Sequence, residues 1–147
     1  MRTVLVFSLV ATLGLVCPIG TARAANVTEE DFVKVCPLDL PGTIGKVSAT
    51  ADGIAVTFET SVPTAVAELR ERATELASLL NWAATQPAGA QRLPVPFTAS
   101  YQESANGASL ILTPKNPADR EKLQTTIAGR IQSMNLTARC YQLANVS

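Results

Sequence analysis

Few side chains in this sequence are suited to catalytic chemistry. The 147-residue chain contains no histidine, the base that most often activates a serine or cysteine nucleophile. Its lysines all lie in polar stretches, where the protonated form dominates and cannot act as a base. Glu68, Glu71 and Glu75 fall on the exterior of one predicted helix, whereas glycoside hydrolysis needs two carboxyl groups that face each other across a cleft. These spacings assign no catalytic residue.

Glu103 is the one carboxylate with an unusual predicted position. The strand register described below directs its side chain to the apolar face of a sheet, beside Leu110, where loss of hydration favours the neutral acid and suits acid or base catalysis. The residue also lies close to Asn106 at the tip of a predicted hairpin, where the carboxylate can reach water. Two alternatives therefore stay open for Glu103: a solvated surface acid, and the centre of a small hydrolase site.

Metal and cofactor chemistry finds no support in the sequence. Zinc and copper sites are built from histidine, cysteine and methionine, and the chain after its leader holds two cysteines and the single methionine Met134. No carboxylate spacing matches a calcium-binding loop. The glycines are isolated and form neither a Gly-x-Gly nor a Gly-Lys-Ser/Thr pattern. We therefore expect no metal and no cofactor.

The first residues have the pattern of an export signal. Arg2 precedes an apolar stretch at 4–16 that is too short to span a bilayer comfortably, and small residues occupy a cleavage position at 22–24. We expect residues 1–24 to be a cleaved signal peptide and the mature chain, 25–147, to be secreted or periplasmic. Lipidation at Cys17 is a weaker alternative, because Val16 is a poor residue to precede a lipidated cysteine.

The charge pattern disfavours a nucleic-acid partner. Twelve basic residues balance twelve acidic ones, and the basic side chains are scattered among carboxylates rather than clustered as phosphate binding requires. The mature chain also lacks a second long apolar run, so we expect no membrane span in it.

Two cysteines remain after processing, Cys36 near the start of the mature chain and Cys140 near its end. In an oxidising compartment an intramolecular disulfide is the simplest use of such a pair. Closing so long a loop removes on the order of 4–5 kcal/mol of unfolded-state freedom in the chain-entropy model. A catalytic thiol is the alternative, but neither a histidine nor a Cys-x-x-Cys pair is present to activate one. We therefore expect a disulfide between Cys36 and Cys140.

One pattern occurs twice, at an offset of 54 residues (106 − 52). Asp52–Gly53 and Asn106–Gly107 each separate two stretches rich in Val, Ile, Thr and Leu, which predicts β-hairpins with type I′ turns at the two dipeptides. The predicted cross-strand pairs are Ala51 with Ile54, Ala49 with Val56 and Val47 with Phe58 in the first hairpin, and Ala105 with Ala108, Glu103 with Leu110 and Tyr101 with Leu112 in the second.

A helix is predicted after each hairpin. Pro63 and Pro117 suit the first turn of a helix, with Ser61 and Asn116 as N-caps. An apolar stripe follows in each helix, formed by Val66, Leu69, Ala73, Leu76 and Leu80 in the first and by Leu123, Ile127, Ile131 and Met134 in the second. Arg130 is expected to point outward, and Glu68 is placed to pair with Arg72. A shorter helix, capped by Thr28 and ended by Pro37, is predicted before the first hairpin.

These elements predict an α+β fold. It is a two-layer sandwich in which a tandem ββα repeat gives a four-stranded antiparallel sheet with two helices on one face. The single domain 25–147 divides into a ββα unit at about 45–84, a linker at 85–96 and a second ββα unit at about 97–135. Duplication is the favoured origin, because turn, proline and apolar stripe keep one spacing. Convergence of two unrelated ββα units predicts the same architecture.

The sheet face opposite the helices is the remaining candidate site. On the predicted register it displays mostly hydroxyl and amide side chains with little charge. The candidate binding residues are Thr50, Thr57, Glu59, Ser100, Gln102, Ser109 and Thr113. Such a face can meet a protein, a peptide or a glycan, can associate with a second copy of the chain, or can simply face water.

The sequence thus favours a secreted or periplasmic binding or accessory module with an unidentified ligand and no enzymatic activity. Two alternatives remain. One is a small extracytoplasmic hydrolase with an unconventional site near Glu103. The other is a structural homodimer that uses the open sheet face or an exposed edge strand.

Overall fold

The computed structural model describes residues 27–85, 95–137, 140 and 143. The elements are α1 (Glu29–Lys34), β1 (Thr43–Ala49), β2 (Ile54–Thr60), α2 (Val66–Ala84), β3 (Phe97–Ser104), β4 (Gly107–Pro114) and α3 (Arg120–Thr137). Short 3₁₀ turns at Pro37–Asp39, Pro63–Ala65 and Pro117–Asp119 follow α1 and precede α2 and α3. The expected signal peptide at 1–24 and most of the expected linker at 85–96 lie outside the described residues.

The four strands form one antiparallel sheet in the order β1-β2-β4-β3. Strands β1 and β2 form one hairpin, β3 and β4 form the other, and β2 pairs with β4 at the centre. The α+β class and the four-stranded antiparallel sheet with two long helices are confirmed. Because the hairpins meet through β2 and β4, strands β1 and β3 are the edges.

Each hairpin turns one residue earlier than its dipeptide predicts. Ala49, not Ala51, lies opposite Ile54, and the second hairpin shifts in the same way, with Glu103 opposite Ala108. The predicted turn positions were therefore wrong in both hairpins. The pairing moves by two residues, however, so every strand side chain keeps its predicted face.

The two glycines of the dipeptides explain the shift. A Cβ atom on Gly53 would collide with the carbonyl oxygen of Leu112, and a Cβ atom on Gly107 would collide with that of Phe58. Neither glycine has a positive φ; within the described ranges, Gly42 is the glycine that does, with a φ of 67°. Gly53 therefore lies immediately before β2 and Gly107 begins β4. Both let β2 and β4 approach each other closely, a role for glycine that turn propensity does not reveal.

Each long helix packs mainly against the hairpin of the other half of the chain. Strands β2 and β3 run parallel, since each is antiparallel to β4, so the chain between them crosses over the sheet and lays α2 over β3 and β4. Helix α3 then covers β1. Each helix thus packs mainly against the hairpin of the other half, and neither half buries its apolar surface alone.

The core lies between the helices and one face of the sheet. Its fully buried side chains include Leu69, Leu76 and Leu80 of α2, Leu123, Ile127 and Met134 of α3, and Ile54, Val56, Phe58, Leu110 and Leu112 of the central strands. Both apolar stripes are confirmed, except that Val66 is only half-buried. One prediction was wrong: Arg130 is buried rather than outward, and the donation of its Nη1 to the carbonyl oxygen of Leu143 at 2.6 Å makes that burial tolerable. Burial lowers the pKa of this guanidinium.

A disulfide joins Cys36 to Cys140, as predicted, and both cysteines are fully buried. It ties the segment after α1 to the segment after α3. Arg72 supports this region, since its Nη1 donates to the carbonyl oxygen of Cys36 at 3.0 Å while its Nη2 pairs with Glu68 at 2.6 Å, the i,i+4 pair predicted from spacing.

The helix starts follow the predictions in part. Thr28 and Asp31 form a capping box at α1, and the side chain of Asn116 accepts from the N–H of Ala118 before α3. Ser61 was the wrong cap for the other long helix. Val62 holds the N-cap position of the 3₁₀ turn before α2, with no side-chain capping bond.

Candidate functional site: the open sheet face

Side chains of one parity leave the sheet on the side away from the helices, and we name this surface the open face. It comprises Ile44, Lys46 and Ser48 of β1, Ala55, Thr57 and Glu59 of β2, Ser109, Ile111 and Thr113 of β4, and Thr98, Ser100 and Gln102 of β3. The opposite parity supplies the buried core residues of the same strands. Of the predicted site residues, Thr57, Glu59, Ser100, Gln102, Ser109 and Thr113 lie on the open face.

Thr50, the remaining predicted residue, lies at the first turn. Its N–H donates to the carbonyl oxygen of Gly53 at 3.0 Å. Its hydroxyl oxygen is buried and has no hydrogen-bond partner in the described part of the chain, and the same holds for Ser104 at the second turn. Thr50 therefore contributes no accessible hydroxyl to the open face.

Cross-strand neighbours arrange the open face in rows. In one central row Lys46, Thr57, Ser109 and Gln102 lie side by side across all four strands. The hydroxyl oxygens of Thr57 and Ser109 are 2.8 Å apart and hydrogen-bonded, while Lys46 Nζ turns to Glu59 Oε2 at 2.6 Å. The hydroxyl groups at the middle of the row bond each other, and Gln102 at its end is exposed.

Charge is confined to one side of the open face. Lys46 and Glu59 belong to the first hairpin, and their counterparts 54 residues later in the second hairpin are the uncharged Ser100 and Thr113. The side chains of Lys46 and Glu59 are 58% and 39% exposed, so water screens the attraction between them. The open face thus has a zwitterionic side and a neutral, hydroxyl-rich side.

Apolar groups on the open face are few. Ile44 is 50% exposed and Ile111 is half-buried. The aromatic rings of Phe58, Phe97 and Tyr101 have the other parity and belong to the core side. Within the described strands, the open face therefore offers hydrogen-bonding groups and an exposed isoleucine but no platform for ring stacking.

Glu103 has the parity of the core side but lies beyond the cover of the helices. Its side chain is 66% exposed, and Oε2 lies 3.5 Å from Arg70 Nη1. A carboxylate in this position is open to water and faces a cation, rather than an apolar pocket. The geometry supports the solvated alternative for Glu103 over the hydrolase site.

A groove of about 490 Å³ lies between α1 and α2. It is lined by Val27, Asp31, Lys34, Val35, Glu75, Ser78 and Leu79. The carboxylate of Asp31 already accepts from the N–H and the hydroxyl of Thr28, at 2.7 and 2.9 Å, and the backbone bond lowers the pKa of Asp31. The hydroxyl of Ser78 donates to the carbonyl oxygen of Thr74. These polar groups serve the two helices, and few remain to orient a ligand.

Two asparagines that sequence reasoning missed hold the edges of the sheet. Asn81 of α2 bonds both backbone groups of Ala99 in β3: Nδ2 donates to the carbonyl oxygen and Oδ1 accepts from the N–H, each at 2.7 Å. Asn135 of α3 does the same to Gly45 in β1, at 2.8 Å in each direction. Each helix therefore fixes the edge strand of the other half.

The signal for these bonds was present in the sequence. Asn135 follows Asn81 at the same 54-residue offset as the two turns. The predicted apolar stripes end at Leu80 and Met134, immediately before the two asparagines. The stripes therefore gave Asn81 and Asn135 no predicted role.

The described residues contain no group of three or more His, Cys, Asp or Glu side chains placed to hold a metal ion. In the same ranges, no helix has both the length and the apolar character needed to cross a bilayer. Comparison with protein-family models, with curated proteins and with solved structures finds no match to this chain.

Proposed function

We propose that this chain is a secreted or periplasmic binding or accessory module without catalytic activity, and that it binds an extended polar partner, a peptide or a segment of another protein, on the open face. The partner lies across the neutral side, over Thr98, Ser100 and Gln102. The zwitterionic side, with Lys46 and Glu59, sets the orientation of the partner.

The uncovered face is the observation that carries this proposal. Both long helices pack on the other side of the sheet, and the side chains of Thr98, Ser100 and Gln102 are short and exposed. Four strands of about seven residues span roughly 20 Å by 23 Å, or about 450 Å². A standard stable interface buries about 800 Å² per partner, so this area favours a transient partner over a structural homodimer that uses the same face.

The proposed compartment rests on the disulfide and the leader. A disulfide such as Cys36–Cys140 persists in oxidising compartments and is rare in the cytosol. Fractionation of cells that express the full chain, followed by N-terminal sequencing, tests this part. We expect a product outside the cytoplasm that begins at Ala25. An uncleaved chain confined to the cytoplasm would contradict it.

Charge placed on the neutral side tests the binding part. The mature protein is screened on arrays of defined peptides and glycans, and Ser100→Glu is then compared with the unmodified chain for each ligand found. We expect peptide ligands to lose about tenfold in affinity, equivalent to about 1.4 kcal/mol, because an unpaired carboxylate must be desolvated in the complex. Glycan ligands alone would point to another partner class.

Ser78→Glu is the matched control, since it makes the same change on the exposed surface of α2 beside the groove. We expect it to leave binding unchanged. Loss of binding in Ser78→Glu, with retention in Ser100→Glu, would move the site to the groove. Glu103→Gln addresses the absence of catalysis: a hydrolytic activity of the mature chain that falls with this substitution would contradict the proposal.

A further inference from the structure

The edge strands of this sheet carry an alternating set of outward backbone groups. In an antiparallel ladder, alternate residues direct their N–H and C=O groups toward the neighbouring strand or away from it. Gly45 in β1 and Ala99 in β3 direct theirs away, because the asparagines bond them from outside the sheet. The same alternation turns the backbone groups of residues 47 and 49 in β1, and of 101 and 103 in β3, outward.

An arginine lies at the far end of each edge. Arg120 Nη1 donates to the carbonyl oxygen of Ala51, just beyond β1, at 2.6 Å. Arg70 Nη2 donates to the carbonyl oxygen of Ser104 at 2.8 Å, and its Nε donates to that of Gly107 at 3.2 Å. The edge of β1 is therefore bounded by Asn135 and Arg120. The edge of β3 is bounded by Asn81 at one end and by the second turn at the other, where Arg70 bonds the carbonyl groups of the opposed pair Ser104 and Gly107.

We infer that Asn81 and Asn135, with Arg120 at the far end of β1, prevent a second copy of this chain from pairing edge to edge along β1 or β3. The bounded windows are three residues long, 47–49 and 101–103, and so short a ladder is marginal in water. A longer ladder must displace an asparagine and break both of its bonds, which offsets the bonds that the incoming strand makes. Exposed edges usually need such protection.

This inference does not depend on the proposed function, since it holds whether or not the open face binds a partner. It excludes the edge-strand form of the homodimer and leaves the open face as the surface through which a partner meets the sheet.

The double variant Asn81→Ala/Asn135→Ala tests the inference by sedimentation velocity of the mature chain over a wide concentration range. We expect the unmodified chain to stay monomeric and the variant to dimerise at least about tenfold more strongly. Asn116→Ala is the matched control, because it removes an asparagine that bonds Ala118 at the start of α3 and not an edge; we expect it to stay monomeric. A folded double variant that is as monomeric as the unmodified chain overturns the inference.

The single variants keep the test decisive where the double variant fails to fold. Asn81→Ala opens β3 alone and Asn135→Ala opens β1 alone. With rising protein concentration, we expect amide exchange to slow at 99–103 in the first variant and at 45–49 in the second, by about tenfold for each newly bonded amide. Exchange that is independent of concentration at both edges overturns the inference. A dimer of the unmodified chain with protected 45–49 or 99–103 amides does so as well.

Discussion

Residues 43–84 and 97–137 build the same succession of hairpin, 3₁₀ turn and helix. The two halves are alike where they contact each other and differ on the open face. Where the halves meet, equivalent positions make equivalent contacts: Gly53 lies against Leu112 as Gly107 lies against Phe58, and Asn81 holds Ala99 as Asn135 holds Gly45. On the open face the equivalence is lost, since Lys46 and Glu59 correspond to Ser100 and Thr113, and Ile44 corresponds to Thr98.

The difference follows from what each side must do. Each half completes the core of the other, so a change at a contact between halves affects the packing of both. Side chains on the open face meet no helix and are free to diverge. Duplication followed by divergence predicts this distribution, and duplication remains a prediction of the sequence pattern.

The largest expected effect comes from the disulfide, which has no counterpart within either half. The double variant Cys36→Ser/Cys140→Ser should lose about 4 kcal/mol in the free energy of unfolding, because the open chain regains its unfolded-state freedom. Urea denaturation of the mature chain measures the loss. A loss below about 1 kcal/mol, at the weak end of disulfide contributions, would show that the contacts between halves hold the chain without the bridge.

Two core leucines at equivalent positions test whether the two halves contribute equally to the core. Leu69 and Leu123 are both fully buried, so Leu69→Ala and Leu123→Ala should each cost about 3 kcal/mol through lost burial and a residual cavity. Denaturant unfolding should give values within about 1 kcal/mol of each other. A larger difference would mean that one half dominates the core.

The paired glycines test the close approach of β2 and β4. Gly53→Ala and Gly107→Ala should each cost about 2 kcal/mol, because the new methyl group meets a backbone carbonyl that cannot move alone. Gly129→Ala is the control: its Cβ would meet nothing within 4 Å, and because alanine loses less backbone entropy than glycine in a helix, the change should stabilise the chain by about 0.5–1 kcal/mol. Unfolding midpoints that fail to separate Gly129 from the other two would contradict the contact.

The ion pair of the open face should contribute little. A double-mutant cycle on Lys46 and Glu59 should give a coupling of about 0.5 kcal/mol or less, since both groups are exposed and screened. The double substitution Ser100→Lys/Thr113→Glu recreates the pair on the neutral side, and its cycle should give a similar value. Coupling on one side alone would show that the two positions are not geometrically equivalent.

The smallest effect is the pH dependence of α1, the helix that precedes both halves. Hydrogen bonds from Thr28 lower the pKa of Asp31 in the folded chain, so its contribution is present above the unfolded pKa and disappears as the pH falls through the lowered folded value. Asp31→Asn should flatten the acid side of the stability profile measured by thermal unfolding. An unchanged profile would show that Asp31 does not contribute to the pH dependence of stability.

Local pattern was sufficient for the elements and insufficient for their mutual arrangement. Helix stripes such as Leu69–Leu76 and the Cys36–Cys140 bridge follow from spacing and compartment. The turn positions do not follow from local pattern, because Gly53 and Gly107 lie against the backbone of a strand in the other half. Arg130 is buried and bonds the carbonyl oxygen of Leu143, and no local propensity encodes that contact.

The residues of the open face were also predicted in part. Strand periodicity placed Thr57, Ser100 and Gln102 on the open face, because alternation survives a two-residue shift in pairing. Periodicity could not show that the hydroxyl of Thr50 is buried, or that the amides of Asn81 and Asn135 reach the sheet edges. Those outcomes depend on the crossover that carries each helix to the opposite hairpin.

The exchange of helices between the halves sets the order in which the chain can mature. The first half alone lacks β4 as the second neighbour of β2 and has no helix over β1, so the core closes only after β4 and α3 have been synthesised. Pairings between such distant segments form slowly. If the chain is exported as proposed, its first half would therefore reach the export machinery without a closed core, and the native state would form once the second half is present.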